Sequence, residues 1–222
     1  MDALLNEIEV RVLGCLIEKE ITTPEYYPLS LNSLTNACNQ KSNRDPAVAF
    51  DEKAVVRALD ALRESKELVR VMSGAEMRVP RYHHRFPEVF QLSRAQVAVL
   101  CELMLRGPQT VGELRGRCSR LHEFTDLAAV EAVLQDLAER AAGSLVQKLP
   151  RQAGRKEPRY AHLLAGVPQV LPEDVEPRPE RTALEVRAED ERLAQLETEV
   201  QSLSEEVAAL RAEWAQFRRQ FE

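Results

Sequence analysis

No apolar run in this sequence approaches the roughly 18 residues that a membrane-spanning helix needs. The opening from Met1 to Glu9 is acidic and lacks the basic start of a secretory signal peptide. Cysteine is scarce, with four residues, and none stands in a Cys-x-x-Cys pair. We therefore expect a cytoplasmic protein with no membrane association, whose cysteines are buried free thiols rather than disulfides or metal ligands.

The motifs of common enzyme classes are missing as well. The sequence has no Walker loop, no Gly-x-Ser-x-Gly, no Gly-x-Gly-x-x-Gly and no cysteine or histidine cluster with metal-ligand spacing. His83 and His84 are adjacent on a predicted strand, so their side chains should point to opposite faces, and His122 and His162 stand alone. The sequence predicts a non-enzymatic protein without cofactor or metal.

The composition indicates a globular protein whose acidity is concentrated in one segment. Of its 222 residues, 44% are hydrophobic and 30% charged, as in an ordinary protein of one or two domains. Basic and acidic residues number 12 and 13 in residues 1–86, 11 and 9 in residues 87–165, and 7 and 14 in residues 166–222. The net charge of −6 therefore does not exclude nucleic-acid binding by the first 165 residues.

The first 165 residues contain two copies of one unit. The apolar helical pattern of Val10–Leu16 recurs 87 positions later in Val97–Leu103, and that of Val55–Leu62 recurs 75 positions later in Val130–Leu137. The tripeptide Pro-Arg-Tyr at position 80 recurs at position 158. A duplication in which the second copy lacks a 12-residue segment explains these offsets.

Each copy is predicted to contain three helices followed by two short strands. The first copy has predicted helices at about residues 5–19, 30–42 and 52–66 and strands at 68–73 and 77–84. The second has helices at 93–106, which Ser93 and Gln96 start as a capping box, at 111–121 and at 126–140, and strands at 144–149 and 159–164. This order is that of a winged helix.

The predicted fold class is therefore mainly α with small β-hairpins, an α+β protein with two tandem winged-helix domains. These domains span residues 1–86 and 87–165. Residues 166–181 are predicted to form a Pro-rich acidic linker, and residues 182–222 are predicted to form a coiled-coil helix.

Three segments resemble the YceH-like family of uncharacterised bacterial proteins. They are Glu18–Pro46, with its Asn-rich run Asn36–Arg44, then Leu92–Arg115 and Lys156–Leu164. The resemblance covers roughly residues 5–165 and implies a tandem winged-helix fold. It implies no activity, cofactor or catalytic residue.

Basic residues are predicted to lie on the wings and second helices rather than on the third helices. The third helix of the second copy should expose acidic residues, and that of the first copy a mixture of both signs. The candidate phosphate contacts are Lys148, Arg151, Arg155, Lys156 and Arg159 in the second wing, Arg115, Arg117 and Arg120 before it, and Arg78 and Arg81 in the first wing. Alternatively, these cations only protect exposed hairpin edges against aggregation.

The Asn-rich run has two interpretations. Its amides could contact adenine edges while Lys41 and Arg44 reach phosphate. Alternatively, its asparagines cap helix ends and satisfy the backbone of the long connection to Asp51. We favour the second interpretation.

The last segment has a heptad pattern of about four repeats. Apolar residues alternate at spacings of three and four, which predicts a parallel homodimeric coiled coil. The alternatives are a helix that packs on its own winged-helix domain and one that binds another protein. The predicted dimerisation residues are Leu193, Leu196, Val200, Leu203, Val207, Leu210, Trp214 and Phe217, with Phe221 at the end.

Two function classes are compatible with these patterns. The first is a dimeric regulator that binds double-stranded DNA through its basic wings. The second is a protein-interaction adaptor, resembling tandem winged-helix subunits of chromosome-partition complexes, in which the acidic third helices meet a protein partner.

Overall fold

A computed structural model describes residues 4–73, 79–151 and 157–166 of the chain. Its first half contains the helices α1 (Glu7–Thr22), α2 (Leu31–Cys38) and α3 (Glu52–Glu64), with a 3-10 helix (Pro24–Tyr26) after α1. The strands of this half are β1 (Leu29–Ser30), β2 (Val69–Met72) and β3 (Arg81–His84). They form one antiparallel sheet in the order β1-β3-β2.

The second half repeats the order of elements. A short helix, α4 (Phe86–Phe90), leads into α5 (Arg94–Arg106), α6 (Val111–Cys118) and α7 (Leu127–Ala138). The strands β4 (Val146–Lys148) and β5 (Tyr160–His162) then pair antiparallel. The predicted boundary after residue 86 falls at the start of α4. We call residues 4–86 repeat 1 and residues 87–166 repeat 2.

The predicted mixture of helices and small antiparallel sheets is confirmed. Each predicted helix and strand of the two repeats has an observed counterpart whose ends differ by a few residues. The sequence analysis missed α4 and β1. These elements have five and two residues, so neither is long enough to display a helical or alternating pattern.

Side chains at the helix starts explain where the helices begin. The predicted capping box of Ser93 and Gln96 is present at α5, and Asn6 with Glu9 forms a second one at α1. Asp51 and Asp126 accept hydrogen bonds from the backbone of α3 and α7. These bonds satisfy amide groups that have no partner inside the helix.

The two repeats share one core, built around α1 and α5. Both helices are buried on every face over the ranges Glu9–Glu18 and Val97–Leu105. They approach closely at Gly14, whose carbonyl oxygen accepts a bond from the Cys101 thiol at 3.5 Å. All four cysteines are buried free thiols, as predicted. None of the described helices is long and apolar enough to cross a membrane.

The predicted linker after Gly166 and the predicted coiled coil lie outside the described residues. The eight predicted dimerisation residues from Leu193 to Phe217 are among them, so the heptad interpretation stays a prediction.

We expect Gly14→Ala to lower the free energy of unfolding by about 1–3 kcal/mol, because a methyl group there would lie 2.9 Å from a methyl carbon of the fully buried Leu105. The matched control is Gly116→Ala on α6, where nothing lies within 4 Å of the added carbon. That substitution should raise the free energy of unfolding by about 0.5–1 kcal/mol. Urea denaturation measures both, and equal effects would contradict the close packing of α1 on α5.

Candidate nucleic-acid interface

The predicted second wing, the antiparallel pair of β4 and β5 with the segment between them, presents two exposed cations among its described residues. Lys148 lies on β4 with its ammonium 5.8 Å from the centre of the Tyr160 ring, and Arg151 follows the strand. Arg159 donates a hydrogen bond of 2.7 Å to the Pro108 carbonyl oxygen. Arg155 and Lys156 of the predicted set lie outside the described residues.

The arginines on α6 and just after it form hydrogen bonds or ion pairs with other residues of the chain. Arg115 is exposed and donates a bond of 3.0 Å to the Thr125 carbonyl oxygen. Arg117 donates a bond of 2.9 Å to the side chain of Gln109. Arg120 reaches across to repeat 1, where it forms an ion pair with Glu18.

The predicted phosphate-contacting cations of repeat 1 come from different elements. Arg81 donates a bond of 2.8 Å to the Pro28 carbonyl oxygen, and Arg78 lies outside the described residues. Lys41 is exposed on the connection between α2 and α3. Arg81 and Lys41 therefore lie on different elements, β3 and the connection between α2 and α3.

Arg44 requires a correction to the predicted phosphate contacts. Its guanidinium is fully buried, where it forms an ion pair with Glu18 and donates hydrogen bonds to the Ala37 carbonyl oxygen and the Gln40 side chain. A phosphate group cannot reach it in this conformation. Its position in a loop of polar residues gave no sign of this burial.

One asparagine of the Asn-rich run, Asn39, supports the backbone of the connection to Asp51. The Asn39 side chain accepts a bond from the Phe50 amide and donates one to the Phe50 carbonyl oxygen, both at 2.8 Å. Asn43 adopts a left-handed conformation with φ of 57°. The Asn39 contacts match the favoured interpretation at that position. Asn32 and Asn36 are exposed on α2 and bond to each other.

The exposed faces of α3 and α7 carry the charges that were expected. On α7 the exposed charged residues are acidic, namely Glu131 and Asp136, flanked by Asp126 and Glu139. The exposed face of α3 carries both signs, with Glu52, Lys53, Arg57, Arg63 and Glu64. Phosphate groups would therefore be repelled by α7 and only weakly affected by α3.

A buried charge network connects the two repeats. The Glu18 carboxylate on α1 pairs with Arg44 and Arg120, and Arg120 also pairs with Glu102 on α5 at 2.7 Å. Both carboxylates are buried. Arg106 extends the network, with its Nε 3.2 Å from Glu102 and a hydrogen bond from its guanidinium to Asn43.

The arginines keep Glu18 ionised inside the protein. Burial raises the pKa of its carboxyl group, but the hydrogen bonds and charges of Arg44 and Arg120 outweigh this effect, so the pKa lies below its ordinary value. The sequence analysis missed this network. A sequence signal existed at Glu102, which interrupts the apolar segment Val97–Leu105 where a charge is costly, whereas Glu18 begins the charged run Glu18–Glu20.

We expect Glu18→Gln to lower the free energy of unfolding by about 3–5 kcal/mol at neutral pH, because Arg44 would be left buried without a counter-charge. Since the folded-state pKa of Glu18 is lowered, its contribution is present at neutral pH and is lost as the pH falls below about 4. The difference in the free energy of unfolding between the wild type and the variant should therefore become smaller as the pH falls below about 4.

Urea denaturation at several pH values measures this difference. The matched control is Glu64→Gln, which removes a carboxylate that pairs with Arg63 on the exposed face of α3 and should leave stability unchanged. An equal effect of the two substitutions at neutral pH would contradict the role assigned to Glu18.

Comparison with known proteins identifies the family. Residues 5–155 match the family model described as "Protein of unknown function, DUF480". A UPF0502 protein of Geobacter sulfurreducens is 58% identical over 222 residues, which is the full length of both chains. UPF0502 proteins of Geotalea uraniireducens and Solibacter usitatus are 57% and 54% identical, also over both full lengths. The predicted resemblance to an uncharacterised bacterial family is confirmed, and the chain belongs to the DUF480 or UPF0502 family.

Proposed function

We propose that this protein is a cytoplasmic, non-enzymatic, DNA-associated regulator built from two tandem winged-helix domains. The observation that carries the proposal is the order of elements. Each repeat places three helices before an antiparallel pair of strands, β2 with β3 and β4 with β5, and this is the order of the winged-helix DNA-binding fold.

The charges of the described residues favour the second wing as the phosphate contact. Lys148 and Arg151 are exposed there, while the face of α7 is acidic. A duplex approaching repeat 2 would therefore be attracted to the wing and repelled by the third helix. Arg155 and Lys156 add two further positive charges to the same wing segment of the sequence.

A homodimer would present two such wings to one duplex. The heptad pattern of residues 193–221 favours a parallel pair of helices, which would link two chains and allow contact with two half-sites. The four free cysteines are compatible with a reducing compartment.

We expect the protein to bind a random-sequence duplex with an affinity that falls steeply between about 50 and 200 mM salt, because each neutralised phosphate adds about 0.9 to the slope of log K against log salt. Reversal of the wing charges, with Arg151→Glu, Arg155→Glu and Lys156→Glu combined, should abolish this binding. Fluorescence anisotropy of a labelled duplex measures both properties.

The comparison variant combines Lys53→Glu and Arg57→Glu on the mixed face of α3. Its binding should remain close to that of the wild type. Loss of binding in this variant, with unchanged binding in the wing variant, would overturn the wing contact. No binding by the wild type at low salt would overturn the DNA function.

The second candidate is a protein-interaction adaptor, and the exposed face of α7 favours it. This face combines acidic residues with Leu127, which is 48% exposed. A basic protein surface with an apolar centre would complement it. The adaptor predicts no duplex binding at low salt, so the same anisotropy experiment separates the two functions.

A further inference from the structure

Arginine side chains converge where the two repeats meet. The network of Arg44, Glu18, Arg120, Glu102 and Arg106 crosses from the connection after α2 to α5 and α6. The side chain of Gln109 continues it, because its nitrogen donates to the Glu102 carbonyl oxygen and its oxygen accepts from Arg117.

A second group of charges adjoins this network. Arg117 lies 3.6 Å and Arg159 3.4 Å from the Glu113 carboxylate on α6. The whole set, which we call the seam cluster, consists of Arg44, Arg106, Arg117, Arg120 and Arg159 with Glu18, Glu102 and Glu113.

The seam cluster has an excess of positive charge. Its five guanidinium groups are cationic, and the ion pairs described for them within residues 4–73, 79–151 and 157–166 involve three carboxylates. Burial lowers the pKa of Arg106; Glu102 opposes this effect, and the charges of Arg117, Arg120 and Arg44 lower the pKa further. A negatively charged ligand would therefore relieve repulsion among the arginines.

Part of this positive charge is open to solvent. The Arg106, Arg117 and Arg120 side chains are 21%, 36% and 27% exposed, whereas Glu18 and Glu102 are buried beneath them. Glu18 and Glu102 hold the Arg120 guanidinium in position through bonds from all three of its nitrogens, and each terminal nitrogen carries a second N–H that these bonds do not use. Preorganised guanidinium donors are suited to oxyanions, which they bind through paired hydrogen bonds.

We infer that the exposed edge of the seam cluster, formed by Arg106, Arg117 and Arg120, is a binding site for a phosphate group. The phosphate belongs either to a nucleic-acid backbone or to a small phosphorylated molecule. The site lies on α5 and around α6 rather than on the wing, so it does not require that the wing binds DNA.

Titration of the full-length protein with inorganic pyrophosphate tests this site, with sodium chloride at matched ionic strength as the reference. Ligand binding raises Tm in a saturable way. Arg117→Gln should weaken pyrophosphate binding roughly tenfold or more, because it removes a charge-assisted donor. Arg94→Gln is the matched control, since Arg94 is exposed at the other end of α5, about 18 Å from Arg106 along the helix.

Weaker binding by Arg117→Gln could also result from loss of folding, so a second variant that should bind pyrophosphate more tightly is included. Glu113→Gln removes the carboxylate that faces Arg117 and Arg159. It keeps the capping box of α6, because glutamine also fits that position. We expect it to bind pyrophosphate more tightly than the wild type. A Tm shift no larger than that of chloride, or equal affinities of the Arg117→Gln and Arg94→Gln variants, would overturn the site.

Competition identifies the source of the phosphate group. If a duplex displaces pyrophosphate from the wild type, the site takes a nucleic-acid backbone phosphate. If pyrophosphate binds without competition, the site takes a small phosphorylated molecule. A protein that binds pyrophosphate but no duplex would retain this site and lose the proposed DNA function, so the two proposals fail separately.

Discussion

The ionised carboxylate of Glu18, buried between two arginines, is the interaction on which the arrangement of the two repeats depends. Arg44 pairs with this carboxylate from the connection after α2, and Arg120 pairs with it from the segment after α6. Glu18 therefore connects its own repeat with repeat 2. A buried charge is tolerated only with such partners. The contact therefore specifies where repeat 2 lies on repeat 1, in addition to the apolar packing of α1 on α5.

That arrangement determines which surfaces remain for binding partners. Because α1 and α5 are buried on all faces over Glu9–Glu18 and Val97–Leu105, these parts of the two helices offer no surface to other molecules. The exposed surfaces include the strand pairs, α3, α7 and the exposed edge of the arginines between the repeats. These surfaces differ in charge. The strand pair of repeat 2 exposes Lys148, with Arg151 following it, and the seam cluster is positive, whereas the face of α7 is acidic. A polyanion and a basic protein would therefore be attracted to different parts of one chain.

Local patterns predicted the fold far better than the candidate site. The capping box at Ser93 and the duplicated apolar stripes depend on residues close in sequence, so the sequence alone predicted them. Arg44 and Arg120 looked like surface cations, because nothing in the sequence shows that Glu18 lies within reach at separations of 26 and 102 residues. The polar partners of buried charges are set by tertiary packing, and only Glu102, within the apolar segment of α5, indicated them.

A double-mutant cycle between Glu18 and Arg120 is the most direct test of this account. The free energies of unfolding of the wild type, Glu18→Gln, Arg120→Gln and the double variant give the coupling between one residue of each repeat. The account predicts a favourable coupling of about 1–3 kcal/mol at neutral pH. A coupling close to zero would contradict the claim that this buried pair joins the two repeats.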